Sequence, residues 1–308
     1  MPELPEVETV LRGLKARVLG RRVTAVEVRQ PLVIRGRPDE FVASVTGRRI
    51  ESVRRKGKAL AIELGAGEGS AARGDGARRF LVVRLGMTGQ LVLARREASL
   101  QLHTHVRLVL EDGSEEIRYR DARRFGHLRC STEEELAEIF ARLGPDAPEI
   151  REEEFLQAMR GRRGSLKGWL LNQQVLSGLG NIYADEALFV ARIHPLAQPG
   201  RLSSAAARRL HRAVKNVLKR AVELQGTSFR DYIDIEGRPG GFSPMLRVYQ
   251  RTGEPCRRCG HRIRRVVVAG RSSHFCPNCQ HRPSYAARSR PAKHSGANGR
   301  RDSTATRG

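Results

Sequence analysis

The chain has 308 residues, of which 39% are hydrophobic, and its 57 Lys and Arg against 33 Asp and Glu give a formal net charge of +24. This length allows two domains with a smaller module attached, and the composition is that of a folded chain rather than a disordered one. Because no apolar run approaches the roughly eighteen residues of a bilayer-spanning helix, we expect no membrane span. The large positive charge favours a polyanionic partner, and nucleic acid is the commonest one.

The N-terminal segment, residues 1–14, predicts a helix. Pro5 suits the first turn, and apolar residues recur on one face, namely Val7, Val10, Leu11 and Leu14. Acidic residues stand where a secretion signal would have basic ones, so we expect a cytoplasmic protein.

Alternating β-branched segments predict strands from residue 23 to residue 128. They include Val23–Arg29, Lys58–Leu64, Phe80–Leu85, Val106–Leu110 and Ile117–Tyr119. Asp112-Gly113 separates the last two, which is typical of a β-hairpin. The Gly- and Ala-rich stretch Gly65–Ala77 predicts a flexible loop.

The pattern becomes helical after Ser131. Thr132 and Glu135 have the spacing of a capping box, and a long amphipathic helix is predicted over Ser204–Leu224. Residues 281–308 lack periodicity and predict a disordered basic tail. The first half of the chain is therefore expected to be mostly β and the second mostly α.

Four of the five cysteines form two Cys-x-x-Cys pairs. They are Cys256 with Cys259 and Cys276 with Cys279, and sixteen residues separate the pairs. Each pair aims two sulfurs at one ion from a tight turn, and the separation fits a two-stranded hairpin. The pattern predicts one structural Zn²⁺ with four thiolate ligands; two disulfides are the alternative, which a non-secreted chain disfavours. Cys130 is expected to be a small buried side chain rather than a nucleophile.

Arginines surround these cysteines, and Arg271 is expected near the hairpin tip or on its return strand. A purely structural ribbon has no need of so many guanidinium groups, so the pattern indicates a finger that contacts DNA. A zinc ribbon of a ribosomal protein is the alternative.

The segment GLGNIYADE, residues 178–186, combines two glycines with a helix start. Asn181 is expected to be the N-cap of the following helix. The free N–H groups of such a helix start bind phosphate well, and an ordinary capped helix after a glycine loop is the alternative.

The extreme N-terminus carries a candidate nucleophile. Removal of Met1, which a small second residue normally permits, would leave Pro2 as a free secondary amine beside the carboxylate of Glu3. An α-amino group has a pKa of about 8, against about 10.4 for lysine, so more of it is neutral at pH 7 and able to form a Schiff base. A proline that simply opens a helix is the alternative.

Taken together, these motifs resemble the bacterial formamidopyrimidine-DNA glycosylases. The resemblance runs from residue 1 to about residue 280 and rests on PELPEVET, RRKGKAL, RLGMTG, DARRFG, GLGNIYADE and the four-cysteine finger. It implies an α+β multidomain fold in which DNA lies in a cleft between domains. The implied parts are an N-terminal β-sandwich with the first helix (1–130), a helical domain with a helix–two-turn–helix element (131–235), a lesion-loop region with the zinc finger (236–280), and the basic tail (281–308).

The resemblance also implies an activity and its residues. It implies a monomeric base-excision-repair enzyme, both glycosylase and abasic-site lyase, that removes oxidised purines (8-oxoguanine and formamidopyrimidines) from damaged double-stranded DNA by β,δ-elimination. The implied catalytic residues are Pro2 as nucleophile, Glu3 as general acid and base, Lys58 and Arg271. The implied DNA contacts are His103, Arg123, Asn181, Lys58 and Arg271. The implied gap-filling residues, which occupy the space of the extruded base, are Met87, Arg123 and Phe125, with core packing as the alternative for Met87 and Phe125.

Two other functions remain open at this point. The sister group of endonuclease VIII-like enzymes favours oxidised pyrimidines, but it usually opens with Pro-Glu-Gly, whereas this chain continues with Leu4 after Glu3. The segment Glu236–Phe242, which resembles a lesion-capping loop, also favours the purine-directed branch. A noncatalytic zinc-finger DNA-binding protein is the second alternative.

Overall fold

The computed structural model describes residues 2–66, 77–229 and 231–284. Most of the loop predicted over Gly65–Ala77 and the tail from residue 285 onward lie outside these described residues. The first helix, α1 (Leu4–Val18), is confirmed; it begins three residues later and ends four residues later than the predicted range 1–14. It begins beside Pro5, because proline is pre-organised for a first helical turn.

Within the described residues of the first half, eight strands form two four-stranded antiparallel sheets. One has the order β1 (Val23–Val28), β6 (Thr104–Leu110), β7 (Glu115–Asp121) and β5 (Gly89–Arg95). The other has the order β2 (Ile50–Lys56), β3 (Ala59–Leu64), β4 (Arg79–Arg84) and β8 (His127–Ser131). The five predicted strands are all present, and β6 and β7 pair around Gly113 as the predicted hairpin.

The inner faces of the two sheets share one apolar core. Leu81 of β4 and Leu108 of β6 are both buried in it, and Val10 and Leu14 of α1 pack against the same cluster. A further short helix, α2 (Pro38–Val45), contributes Phe41. The first half of the chain is therefore a β-sandwich with α1 on its side, as the family resemblance implies.

The second half is helical. It contains α3 (Glu133–Ala141), α4 (Glu152–Met159), α5 (Leu166–Leu171), α6 (Asn181–Val190) and α7 (Ser204–Glu223). The predicted capping box of Thr132 and Glu135 starts α3. A second apolar core forms between α4, α5, α6 and the buried stripe of α7.

A two-stranded hairpin, β9 (Arg264–Val268) and β10 (Arg271–Phe275), follows the helices. Arg271 is the first residue of the return strand, within the range that the sequence predicts. Within the described part of the chain, no helix has both the length and the apolarity to cross a bilayer.

The segment after α7 connects the two halves. Tyr232 and Ile235 are buried in the β-sandwich core, although the sequence analysis assigns residues 131–235 to the helical part. Ile235 lies so close to α1 that a Cβ on Gly13 would be 2.7 Å from its side chain. The carbonyl of Ile235 also accepts a hydrogen bond of 2.8 Å from the N–H of Leu93.

Candidate active site between the two halves

The carboxylate of Glu3 is fully buried at the N-terminus of α6. Its Oε1 accepts a hydrogen bond from the N–H of Ile182 at 2.9 Å, and its Oε2 accepts one from the N–H of Tyr183 at 3.4 Å. The unpaired N–H groups and the dipole of a helix start favour a negative charge there. The beginning of α1 is thereby joined to the beginning of α6, with Pro2 next to the junction.

Two glycines allow this approach. A Cβ on Gly180 would lie 2.3 Å from Cδ of Glu3, and a Cβ on Gly178 would lie 2.3 Å from Cδ1 of Leu4. Because no other residue type would leave this space, the two glycines of the GLGN segment serve the docking of the N-terminus.

Asn181 is not the N-cap of α6, which corrects the sequence-based expectation. Gly180 is the N-cap and Asn181 is the first residue of the helix. The N–H groups expected to bind phosphate hold Glu3 instead, because a buried carboxylate of the chain itself occupies the helix start. The side chain of Asn181 faces a neighbouring pocket, and its buried Oδ1 has no hydrogen-bond partner among the described residues.

Glu6 is a second buried carboxylate, one turn further along α1. It accepts hydrogen bonds from the N–H of Glu3 at 2.7 Å, from the N–H of Thr227 at 2.7 Å and from the hydroxyl of Tyr183. The sequence analysis missed it, although the three-residue spacing of Glu3 and Glu6 is that of a capping box.

The charges around Glu3 change its acidity and that of its neighbours. Burial raises the pKa of Glu3 above 4.5, and the opposing effects of Lys58 and the α6 N–H groups do not cancel this rise. Burial and the nearby Glu3 charge raise the pKa of Glu6 to about 7. Lys58 keeps part of its surface exposed, but the atoms around its ammonium desolvate it and lower its pKa below 10.5, against the pull of Glu3 and Glu6.

A cavity of about 500 Å³ opens beside Glu3. Four of the sequence-predicted residues line it, namely Glu3, Met87, Asn181 and Arg271. The segment after α7 closes another side with Thr227, Phe229, Asp231 and Tyr232. Its volume is that of a small-molecule site, large enough for a nucleobase with its sugar.

The three residues predicted to fill the gap lie on two adjoining turns. Met87 is partly exposed in the turn between β4 and β5, and it lines the cavity. Phe125 has 58% of its surface exposed in the turn before β8, and the Arg123 guanidinium lies 4.5 Å above its ring centre. The alternative of core packing is therefore wrong for Phe125, which is exposed. It does not describe Met87 either, because Met87 is partly exposed.

His103 is exposed in the loop before β6 and has a left-handed φ of 63°. Its carbonyl accepts the N–H of Asp121, and its ring lies 6.4 Å from that of His105. It is not among the residues that line the cavity.

The four predicted cysteines converge. Their sulfurs all lie within 4.8 Å of one another, and three of the separations are 3.4, 3.5 and 4.0 Å. Tetrahedral Zn²⁺ with Zn–S bonds of about 2.3 Å needs sulfurs about 3.8 Å apart, so the group fits one zinc ion. A zinc ion held by all four thiolates would have no open position for a substrate.

Cys130 behaves as expected of the leftover cysteine. It packs against the β-sandwich core, and burial raises its pKa to about 11, so the unreactive thiol predominates.

The finger is fixed to α6 by two adjacent acidic residues. Asp185 accepts hydrogen bonds from Lys167, from the hydroxyl of Ser273 and from the N–H of His274. Glu186 accepts the N–H groups of residues 247–249. Because these contacts flank Arg271, they set the position of its strand at the cavity.

Three family models match the chain. They are the formamidopyrimidine-DNA glycosylase N-terminal domain over residues 1–128, the H2TH domain of the same glycosylases over residues 143–232, and the zinc finger found in FPG and IleRS over residues 253–282.

Curated relatives and solved structures agree with these matches. A formamidopyrimidine-DNA glycosylase of Solibacter usitatus is 45% identical over 283 residues, which cover 92% of this chain and all of the relative. One of Symbiobacterium thermophilum is 44% identical over 302 residues, covering 95% of each. A Lactococcus lactis FPG variant in complex with Fapy-dG-containing DNA superposes with a TM-score of 0.83 at 33% identity, covering 91% of this chain and all of the other.

Two more Lactococcus lactis structures cover the same shares of each chain. One is a complex with DNA that contains an abasic site (33% identity, TM-score 0.83), and one is a complex with DNA that contains an oxidised pyrimidine (32% identity, TM-score 0.82). Matches along nearly the whole length, in sequence and in fold, lead to one conclusion: the chain belongs to the formamidopyrimidine-DNA glycosylase family.

Proposed function

We propose that this protein is a bifunctional DNA glycosylase and abasic-site lyase that removes oxidised purines from duplex DNA through a Schiff base to Pro2. The observation that carries the proposal is the placement of Glu3. It stands next to Pro2, fully buried on the α6 N-terminus, and lines a cavity that also receives Met87, Asn181 and Arg271.

The chemistry follows from this placement. A base inside a duplex is out of reach, so the damaged nucleotide turns out of the stack and enters the cavity. The Pro2 nitrogen bonds to C1′ of the sugar as the base departs, and Glu3 gives a proton to the ring oxygen as the sugar opens. A raised pKa suits Glu3 to this step, because more of it is protonated at neutral pH. Loss of a C2′ proton then expels the 3′ phosphate (β-elimination), and loss of the C4′ proton expels the 5′ phosphate (δ-elimination), so the strand is cut on both sides.

Other residues hold the DNA during these steps. Lys58, Asn181 and Arg271 are assigned to phosphates beside the lesion, and Lys58 is electrostatically coupled to Glu3. Met87, Arg123 and Phe125 are assigned to the gap left by the extruded base, because apolar wedges keep a kinked duplex open. His103 is assigned to the DNA surface outside the cavity.

The remaining parts have supporting roles. Zinc, held by Cys256, Cys259, Cys276 and Cys279, would fix the finger that carries Arg271 and take no part in the reaction. We assign residues 1–130 to the catalytic β-sandwich, 131–235 to the helical DNA-binding part and 236–280 to the lesion loop and finger. We propose a monomer that acts on the chromosome in the bacterial cytoplasm.

Borohydride trapping on an 8-oxoguanine duplex tests the proposal, since it reduces the Schiff base to a stable covalent bond. We expect the wild-type protein to be captured and its peptide map to place the DNA on Pro2. Mass spectrometry of the same preparation should show that Met1 is absent. Glu3→Gln should nearly abolish base excision yet bind the duplex. Absence of any covalent capture, as for a noncatalytic DNA-binding protein, would overturn the proposal.

A second substrate class has a specific observation in its favour, since a Lactococcus lactis relative was solved with DNA that contains an oxidised pyrimidine. Excision from matched duplexes that differ only in the lesion, 8-oxoguanine or an oxidised pyrimidine, ranks the two. Faster excision of the pyrimidine would assign the chain the endonuclease VIII-like specificity instead.

A further inference from the structure

A fully buried carboxylate, Asp121 at the end of β7, binds both turns that carry the gap-filling residues. Its Oδ1 accepts the hydroxyl of Thr88 at 2.5 Å and the N–H of Arg123 at 3.2 Å. Its Oδ2 accepts the N–H of Gly126 at 2.8 Å and the hydroxyl of Tyr119 at 3.2 Å. One turn therefore contacts Asp121 through Thr88, and the other contacts it through the residues on either side of Phe125.

Thr88 also joins the two turns directly. It follows Met87 in the chain. Its Oγ1 accepts a hydrogen bond from the N–H of Arg123 at 3.1 Å and donates one to Asp121. The Thr88 hydroxyl therefore donates a hydrogen bond to the Asp121 carboxylate and accepts one from the backbone of the other turn. Because Thr88 is 8% exposed, water competes little for either bond.

The backbones of the two turns touch each other at the same place. Gly86 has a φ of +63°, and a Cβ there would lie 2.5 Å from the nitrogen of Gly126 and 2.6 Å from the carbonyl carbon of Phe125. The two turns therefore pack directly against each other, and Asp121 is hydrogen-bonded to both.

Among the described residues, the side chains of Phe125 and Met87 have no comparable hydrogen-bonded support. Phe125 projects into solvent with Arg123 stacked on it, and Met87 borders an open cavity. Their direction is set by the backbone, and the Thr88–Asp121 pair holds that backbone.

We propose that Thr88 and Asp121 are positioning residues that hold Met87, Arg123 and Phe125 as one unit for insertion into the space vacated by the extruded base. The inference rests on the proposed function. Neither residue lines the cavity, so both act through the three gap-filling side chains.

Thr88→Val is the test in the full-length protein, because valine has the shape of threonine and lacks the hydroxyl. We expect single-turnover excision of 8-oxoguanine from a duplex to slow at least about tenfold, because valine loses both hydrogen bonds of the hydroxyl and even one is worth about this factor. Trapping on a single-stranded oligonucleotide with a preformed abasic site should stay within about twofold, because that DNA has no stack to fill. A 2-aminopurine opposite the lesion should show a smaller fluorescence change.

Two matched variants separate positioning from a general loss of stability. Thr88→Ser keeps the hydroxyl and should restore the wild-type rate. Tyr119→Phe removes a different buried hydroxyl from the same carboxylate but leaves both turns attached, and it should also excise at the wild-type rate.

A double-mutant cycle with Phe125→Ala completes the test, because residues that act through one unit have non-additive effects. In the Phe125→Ala background, Thr88→Val should lower the single-turnover excision rate by about threefold or less. Unchanged excision by Thr88→Val, an equal loss on single-stranded DNA, or full additivity with Phe125→Ala would each overturn the proposal. These outcomes are distinct from failure of the proposed function, in which the wild type itself would not be trapped.

Discussion

Two carboxylates three residues apart, Glu3 and Glu6, are fully buried at the start of α1 and have different partners. Glu3 is bound by N–H groups of α6 and borders the cavity. Glu6 is bound by Tyr183 and Thr227 and does not reach the cavity lining. This difference supports the proposed role of Glu3 in proton transfer, whereas Glu6 links α1, α6 and the segment after α7.

Glu6 should make stability depend on pH. Its pKa is about 7 in the folded protein and near 4.5 unfolded, so the unfolded chain ionises first as pH rises. Stability relative to Glu6→Gln should therefore be greatest below pH 4.5 and fall by about 3 kcal/mol up to pH 7. Urea unfolding of both proteins from pH 4.5 to 8 measures this difference.

Glu8→Gln is the control for that measurement. Burial alone would raise the pKa of Glu8, but hydrogen bonds from Arg55 and Arg12 bring it below its ordinary value. The contribution of Glu8 to stability is lost only at lower pH. The difference in free energy of unfolding between Glu8→Gln and the wild type should therefore stay flat over the same pH range. If the difference between Glu6→Gln and the wild type were also independent of pH, the raised pKa of Glu6 would be wrong.

At the scale of elements, α6 connects the N-terminal end of α1 with the finger. Its N-terminus holds Glu3, Tyr183 contacts Glu6, and Asp185 and Glu186 hold β10 and residues 247–249. One helix of ten residues thus sets the distance between Pro2 and Arg271. The zinc site stabilises the folded hairpin, whose apolar core is small.

Removal of zinc should weaken DNA binding without altering the Pro2 amine. The finger has few apolar residues of its own, so the metal supplies most of its folding free energy. We expect Cys276→Ser to raise the Kd for a duplex with an uncleavable abasic analogue at least about tenfold, or 1.4 kcal/mol. Fluorescence anisotropy at fixed salt measures it.

Cys130→Ser is the matched control, because Cys130 lies in the β-sandwich. The affinity of this variant for the same duplex should equal that of the wild type. Unchanged affinity of Cys276→Ser, with zinc loss verified by metal analysis, would count against the finger as a DNA contact.

At the scale of the whole molecule, a buried ion pair spans the junction of the two halves. Asp146 accepts hydrogen bonds from Arg55 at 2.6 Å, from the N–H of Gly57 at 2.6 Å and from the hydroxyl of Ser177 at 2.8 Å. Arg55 and Gly57 belong to the β-sandwich, and Ser177 lies just before GLGN. Because Gly57 precedes Lys58, the same carboxylate also supports the turn that presents Lys58.

Asp146→Ala should destabilise the protein by about 3 kcal/mol, because it leaves a buried guanidinium short of one partner. Urea unfolding measures the loss. Asp39→Ala removes an aspartate paired with Arg37 at the exposed surface and should leave the urea midpoint unchanged. Equal effects of the two variants would show that the junction does not depend on Asp146.

Features that depend on neighbouring residues could be predicted from the sequence. The capping box at Thr132, the apolar stripe of α7, the hairpin at Gly113 and the zinc ligands all follow from spacings within one element or one turn. The family motifs also identified Glu3, Met87, Asn181 and Arg271, four residues from distant parts of the chain that line one cavity.

The rest was decided by which elements meet in three dimensions. Nothing near Asn181 in the chain indicates that Glu3 occupies the start of α6, or that Gly180 is its N-cap. The burial of Glu6 and Asp121 among hydrogen-bond donors is equally invisible in a local pattern, because the donors come from residues far away in sequence or from another turn. Local spacing determines a helix, a hairpin or a ligand set, whereas a buried carboxylate is stabilised only by the partners that tertiary packing brings to it.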